Sequence, residues 1–326
     1  RGGFTTQVIN TLKVGHVHFY FKGDPRELQK FFDRRKKDLL QSTLSLTKNM
    51  EARGGGITKL ELVDKSEALA NYFQLHMEFK TKDAMGANFI NSCLELVAKK
   101  FTEFAEEDQL TQGKENTLEI AMSILSNYVP ECLVRAEVRC PITDFTLQNN
   151  GIDGATFVKK MVDAVAIASC EPYRAVTHNK GIMNGVDALV IATGNDFRAV
   201  EAGVHAFASR SGRYRSLSNA YIQEEQFVME LTLPLALGTV GGLTKLHPMV
   251  EWCMELLGNP SAEELMDLVA VAGLAQNFGA LRLLVTTGIQ KGHMQMHLQN
   301  ILNQFEVSET QKKGALLYFK TEPVTV

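Results

Sequence analysis

Paired cysteines are missing from this chain. Its five, Cys93, Cys132, Cys140, Cys170 and Cys253, are scattered, odd in number, and never stand as C-x-x-C. That argues against a disulfide framework. A buried, reduced thiol is the expected state of each, which fits a cytoplasmic protein. Strong charge of either sign is missing too. A formal net charge of −3 gives no general pull toward nucleic acid or an anionic membrane, so an anionic substrate would need a local basic pocket. No signal-like leader is visible. The most apolar long window, Met266–Val285, is broken by Asp267, Gln276, Asn277 and Arg282, so it reads as a buried helix and not a membrane span. No G-x-G-x-x-G occurs, which leaves a Rossmann unit unsupported. Internal repeats and low-complexity segments are absent as well.

What is present suits a globular chain with a sizeable core. At 326 residues and 45% hydrophobic, it is long enough for two domains or one domain carrying a large insertion. Val14–Phe21 alternates as a strand does, and Asp24-Pro25 then opens a helix through Leu28, Phe31, Phe32 and Leu39, with Asp as N-cap and Pro at the first helical position. After Gly54-Gly55-Gly56 come two strand-like runs, Ile57–Val63 and Tyr72–Lys80, and then a helix over Phe89–Ala105. Residues 10–116 therefore read as a small α+β unit, and helices on one face of the strands would make it ferredoxin-like. Beyond it, helices are expected at Thr117–Asn127, Gly154–Ala168, Asp196–Phe207 and Ala262–Ala275, and strands at Leu133–Val138, Ala188–Ile191 and Gln226–Leu233. Gly288–Val326 reads as a polar, partly helical tail.

The most informative stretch is Arg174–Asp196. Lys180 sits in T-H-N-K-G, which reads as a polar loop; an apolar run, Val186–Ala192, follows as a buried strand, and Gly194-Asn195-Asp196 closes it. On that reading Lys180 and Asp196 become neighbours across a short strand. A carboxylate beside a buried lysine keeps it charged, and a held cation can stabilise the oxyanion of a carbonyl reaction. Asp196 also has the sequence context of a helix N-cap. His293 and His297 stand one helical turn apart, but no acidic or cysteine ligand accompanies them as a metal pair would need.

These segments resemble the 3-hydroxy-3-methylglutaryl-CoA (HMG-CoA) reductases. The family's H-N-K-G-I-M-N-G and G-N-D are matched here, and three further segments agree in order: Asp83-Ala84-Met85-Gly86-Ala87-Asn88, Gly238-Thr239-Val240-Gly241-Gly242, and Gly292-His293-Met294. The spelling G-I-Q-K-G-H-M is similar to the soluble class II branch. The resemblance implies an α+β fold: a large helix-rich α/β domain (1–9 and 117–287), an inserted ferredoxin-like NAD(P)-binding domain (10–116), and a C-terminal helical flap (288–326). It implies a cytoplasmic homodimer with active sites at the subunit interface, and reduction of HMG-CoA to mevalonate and CoA, or the reverse. Lys180 would polarise the thioester carbonyl, Asp196 would tune it, and His293, with His297 as second choice, would protonate the departing thiolate. Arg174 would hold the free carboxylate of the acyl group, with Asn184 nearby. Asp83, Met85, Gly86 and Asn88, with Gly238, Gly241 and Gly242, would hold the dinucleotide. NAD-preferring relatives carry an Asp seven residues before the triple glycine, where this chain has Thr47 followed by Lys48. A cation in place of a carboxylate favours a 2′-phosphate, hence NADPH over NADH. The family's catalytic glutamate and its E-N-V-I-G motif belong to a segment before Arg1, which leaves a catalytically silent CoA- or nucleotide-binding fragment as the alternative expectation.

Overall fold

In the computed structural model of the chain, residues 2–112, 116–145, 152–242 and 246–286 are described, together with 288, 298, 301–305 and 308–319. The chain opens with β1 (Phe4–Val8), a strand its sequence pattern does not announce. The small sheet follows. β2 (Lys13–Lys22) leads through α1 (Pro25–Ser42) and α2 (Leu44–Glu51) to β3 (Gly56–Asp64) and β4 (Tyr72–Lys80); α3 (Ala87–Glu107) then leads to β5 (Thr117–Leu125). The strands lie in the order β3-β4-β2-β5 and every neighbour is antiparallel, which is the expected ferredoxin-like arrangement. Asp24 caps α1 by accepting from the Arg26 amide, and Pro25 occupies its first turn. Leu28, Phe31, Phe32 and Leu39 face inward at helical spacing and meet Phe19, Phe73 and Phe101.

The large sheet has the order β1-β6-β8-β7, again antiparallel, from β6 (Leu133–Pro141), β7 (Ser218–Gln223) and β8 (Gln226–Pro234). Its inner face (Val134, Ala136, Met229, Leu231, Leu233) shares one core with α4 (Gly154–Cys170), α5 (Pro172–Ala192), α6 (Phe197–Ala208) and α8 (Ala262–Val285). α7 (Pro248–Leu256) precedes α8, and α9 (Glu309–Tyr318) lies in the tail. Among the described residues α8 is the one helix long and apolar enough to cross a membrane. Here Leu265, Val269, Ala270, Leu274 and Leu281 bury one face of it in the core.

Four expectations are corrected. Thr117–Asn127 is not a helix: β5 completes the small sheet beside β2, and its inward positions Leu118, Ile120 and Leu125 pack on the aromatic core. Lys180 is not in a loop and Ala188–Ile191 is not a strand, because one helix, α5, runs from Pro172 to Ala192. Glu171 caps it, accepting from the Arg174 amide at 2.7 Å, and Ala175, His178, Asn179, Ile182, Met183, Val186 and Val190 recur at 3.6-residue spacing on its buried side. Its glycines mislead a sequence reading: a β-carbon on Gly185 would stand 2.5 Å from the Ala272 carbonyl oxygen of α8, so that glycine marks a close helix crossing and not a turn. Of the thiols, Cys93 and Cys132 are buried as expected, whereas Cys140 and Cys253 are half-buried and Cys170 is exposed.

Candidate functional site

Three of the motif segments meet at the seam between the two sheets. The Asp83 carbonyl accepts from the amides of Thr239 (2.8 Å) and Val240 (3.2 Å), and Ala84 and Val240 form a parallel bridge. The Asn195 side-chain carbonyl accepts from the Gly238 amide at 2.8 Å, which draws in the G-N-D turn. Gly238 is required here by space: a β-carbon would lie 2.3 Å from the Met85 nitrogen. Gly86 has φ +89°, in the left-handed region, and starts α3 with no side-chain cap on its first amides. Gly241 and Gly242 also have positive φ, at +82° and +58°. The crevice at this seam is lined by Met85, Ile90, Val129, Val200 and Ala236.

Asp83 also joins the two units. Its carboxylate accepts from the Ala262 amide at 2.9 Å, at the first turn of α8, and so staples the small unit to the large one. Asn88 is exposed in the first turn of α3. Thr47 is turned into the small core, so of the Thr47–Lys48 pair only Lys48 reaches solvent.

Lys13 was not singled out in the sequence. It lines the same crevice, 4% exposed, and its ammonium donates to Thr81 Oγ1 (2.7 Å) and to the Ala84 carbonyl (3.4 Å). Burial lowers its pKa, opposed by Cys132 and Asp83. The available signal was a lone lysine heading an apolar strand.

Lys180 and Asp196 are not brought together within one chain. Twelve residues of α5 separate Lys180 from Ala192, roughly 18 Å along the axis at 1.5 Å per residue. Lys180 is exposed and makes no ion pair among the described residues; Asp196 caps α6 and pairs with Arg198 (3.0 Å), whose hydrogen bond is the main cause of its lowered pKa. At about 100° per residue, Asn184 lies on the Lys180 face of α5, whereas Arg174 is roughly 120° round the helix. Exposed Tyr173, Val176 and Ile191 share the Lys180 face. His293 and His297 lie outside the described residues.

The histidine and asparagine beside Lys180 are structural. His178 Nε2 donates to Ser218 Oγ (2.7 Å), which donates in turn to Asn277 Oδ1 (2.8 Å); His178 Nδ1 is buried without a partner among the described residues. Burial first, and then Arg174, push its pKa down to about 4, so the ring is neutral with its proton on Nε2. Asn179 accepts from the Leu217 amide and donates to the Arg215 carbonyl. His178→Ala is expected to cost about 2–3 kcal/mol by leaving Ser218 and a void behind, read as a lower urea midpoint.

The hydroxymethylglutaryl-coenzyme A reductase family model matches residues 1–298. The chain is 36% identical over 301 residues to the 3-hydroxy-3-methylglutaryl-coenzyme A reductase of Archaeoglobus fulgidus, covering 92% of this chain and 65% of that protein. It is 34% identical over 310 residues to a probable enzyme of the same name from Borreliella burgdorferi, covering 93% and 68%. Among solved structures, the class II enzyme of Streptococcus pneumoniae bound to NADPH in open conformations superposes with a TM-score of 0.78 at 39% identity, over 87% of this chain and 74% of that one. A second structure of the reductase from that organism gives 0.79 at 37%, over 100% and 74%. This chain thus spans about two thirds of the length of these named relatives.

Proposed function

The chain belongs to the hydroxymethylglutaryl-coenzyme A reductase family, and on that premise we propose that it takes part in reducing HMG-CoA to mevalonate and CoA with two equivalents of NADPH. The observation that carries this is the convergence of Asp83–Gly86, Asn195–Asp196 and Gly238–Val240 on one seam. The seam fits a dinucleotide. Gly241 and Gly242 have open space where a β-carbon would stand, α3 starts without a side-chain cap, and exposed Lys48 offers a cation to a 2′-phosphate. When bound, the reduced nicotinamide supplies hydride. Asp83 and Lys13 hold the backbone of the binding segment in place.

The active site is proposed to form between two copies. With Lys180 more than three helical turns from the end of α5 that leads to its own Asp196, a second copy must bring the other partner if the two are to meet. The exposed apolar face carrying Tyr173, Val176 and Ile191 around Lys180 suits such a contact. In that site Lys180 places a compact positive charge on the thioester oxygen, and the oxyanion that forms as hydride arrives stays paired with it. Asp196 opposes loss of the lysine's proton once water is excluded. Arg174 is given the acyl carboxylate and Asn184 a place beside it. His293 is given protonation of the departing thiolate: a free thiol titrates near 8.5, so a nearby acid traps it at neutral pH.

The test is to mix the chain with HMG-CoA and NADPH, then NADH, and follow nicotinamide absorbance and free thiol together. Two equivalents oxidised per CoA released is the expected result, faster with NADPH. Binding of NADPH without turnover would leave the silent nucleotide-binding chain, and neither binding nor turnover would sink the reading.

A further inference from the structure

Behind Lys180 lies a line of ionisable side chains to which the proposed mechanism gives no part. Asp187 of α5 has one carboxylate oxygen, Oδ1, that is buried with no hydrogen-bond partner among the described residues, and its carboxyl faces Glu201 of α6. Glu201 pairs one turn on with His205 Nε2 at 2.7 Å. His205 Nδ1 meets the Tyr214 hydroxyl at 2.7 Å, with the two rings stacked at 5.9 Å and 27°. The line therefore leaves α5 at Asp187, crosses α6, and ends at Tyr214 in the loop that follows it.

One arrangement of protons satisfies every bond in the line. Asp187 O–H donates to Glu201, His205 Nε2–H donates to Glu201, and Tyr214 O–H donates to His205 Nδ1. It needs one proton on the carboxyl pair and a neutral imidazole. With both carboxylates ionised, two like charges face each other at a half-buried joint. Glu201 is the charged group that acts on Asp187; α6 adds His205 and the following loop Tyr214, while α8 presents the uncharged Ala272 and Gln276 to Gly185 of α5.

We propose that Asp187, Glu201, His205 and Tyr214 form a proton-sharing relay that positions α5, the helix that carries Lys180, against α6. These are positioning residues, and their link to Lys180 rests on the function proposed above.

Burial, and then Glu201, push Asp187 from 3.8 up to about 7. Between those values the folded chain holds a proton that the unfolded chain has released, so stability falls as pH rises toward 7. The experiment measures melting temperature from pH 4 to 8, and kcat and KM for NADPH, on the whole chain and its variants. Asp187→Asn and Glu201→Gln keep a hydrogen bond without needing the shared proton. They are expected to gain stability relative to wild type as pH rises from about 4 to 7, with no further gain above that, and to hold kcat within about threefold. Asp187→Ala and Glu201→Ala are expected to lower kcat at least tenfold, with KM for NADPH within about twofold, since α3 and the seam are untouched. Should the alanine variants not fold, Tyr214→Phe removes one hydroxyl only and is expected to lower kcat about threefold or more. Parallel stability curves for wild type, Asp187→Asn and Glu201→Gln would overturn the relay. Wild-type kcat in the alanine variants, or in Tyr214→Phe, would overturn the positioning of Lys180. A wild-type chain that binds NADPH but never turns over would instead count against the reductase reading, and the stability curves would still decide the relay.

Discussion

Lys180→Met is expected to lower turnover by about 10²–10³-fold, or more, while leaving the melting temperature within a few degrees of wild type. The two halves of that result have separate causes. Lys180 is exposed on the outer face of α5 and makes no ion pair in its own chain among the described residues, so its removal breaks nothing that holds the fold. Methionine keeps a similar apolar stem and a good helix propensity. The proposed chemistry, by contrast, places a negative charge on one oxygen, and the loss of a preorganised positive partner in a water-poor site raises that barrier directly. A matching fall in kcat and kcat/KM, with NADPH binding unchanged, is the signature of an interaction made in the transition state.

The distance between Lys180 and Asp196 within one chain gives this prediction a sharper form. Asp196→Asn should also be inactive. If each site takes Lys180 from one copy and Asp196 from the other, a mixed dimer of the two variants has one doubly altered site and one intact site. Random exchange makes half the dimers mixed, each with half its sites intact, so about a quarter of wild-type activity should return on mixing. No return of activity on subunit exchange would mean that the pair acts within one chain, against the separation along α5.

Why the sequence led to a wrong local structure here and a right fold elsewhere can be seen in particular residues. The small unit was legible up to α3 because its elements carry their own signals: alternation in Val14–Phe21, the Asp24-Pro25 helix start, and phenylalanines at helical spacing along α1. α5 was not, because two glycines and a polar run (Thr177, His178, Asn179, Lys180) mimic a loop. Tertiary contacts overrule that local impression. His178 and Asn179 are polar and yet buried, since Ser218 and the Leu217 and Arg215 backbone satisfy them. β5 was lost for the opposite reason: Met122 and Ile124 are apolar and exposed, which blurs the alternation of an edge strand. The motif residues were found by spelling, but the division of labour among them needed coordinates. Asp83 staples α8, Thr47 is buried, and Lys13 and the Asp187–Glu201 pair carry no motif at all.

The largest stability effect is expected at Gly185. α5 and α8 approach so closely there that a β-carbon would stand 2.5 Å from the Ala272 carbonyl oxygen and 2.9 Å from the Gln276 β-carbon. Backbone cannot step aside as a flexible side chain can. α8 is in turn held against β1 and β6, and at Gly273, on the same helix, a β-carbon would stand 2.9 Å from Val186 and 3.1 Å from Leu231. Gly185→Val therefore forces two packed helices apart, at a cost of about 3 kcal/mol or more from overpacking and lost contact. Gly185→Ala should cost less, about 1–3 kcal/mol, because the helix-propensity gain of up to ~1 kcal/mol partly offsets the clash. Gly181 is the control, one turn away on the same helix. A β-carbon there meets nothing within 4 Å, so Gly181→Ala keeps the propensity gain alone and should raise stability by about 0.5–1 kcal/mol. Urea midpoints for the three variants decide the matter. If Gly185→Ala and Gly181→Ala shifted in the same direction, the close crossing of α5 and α8 would not be what fixes that glycine.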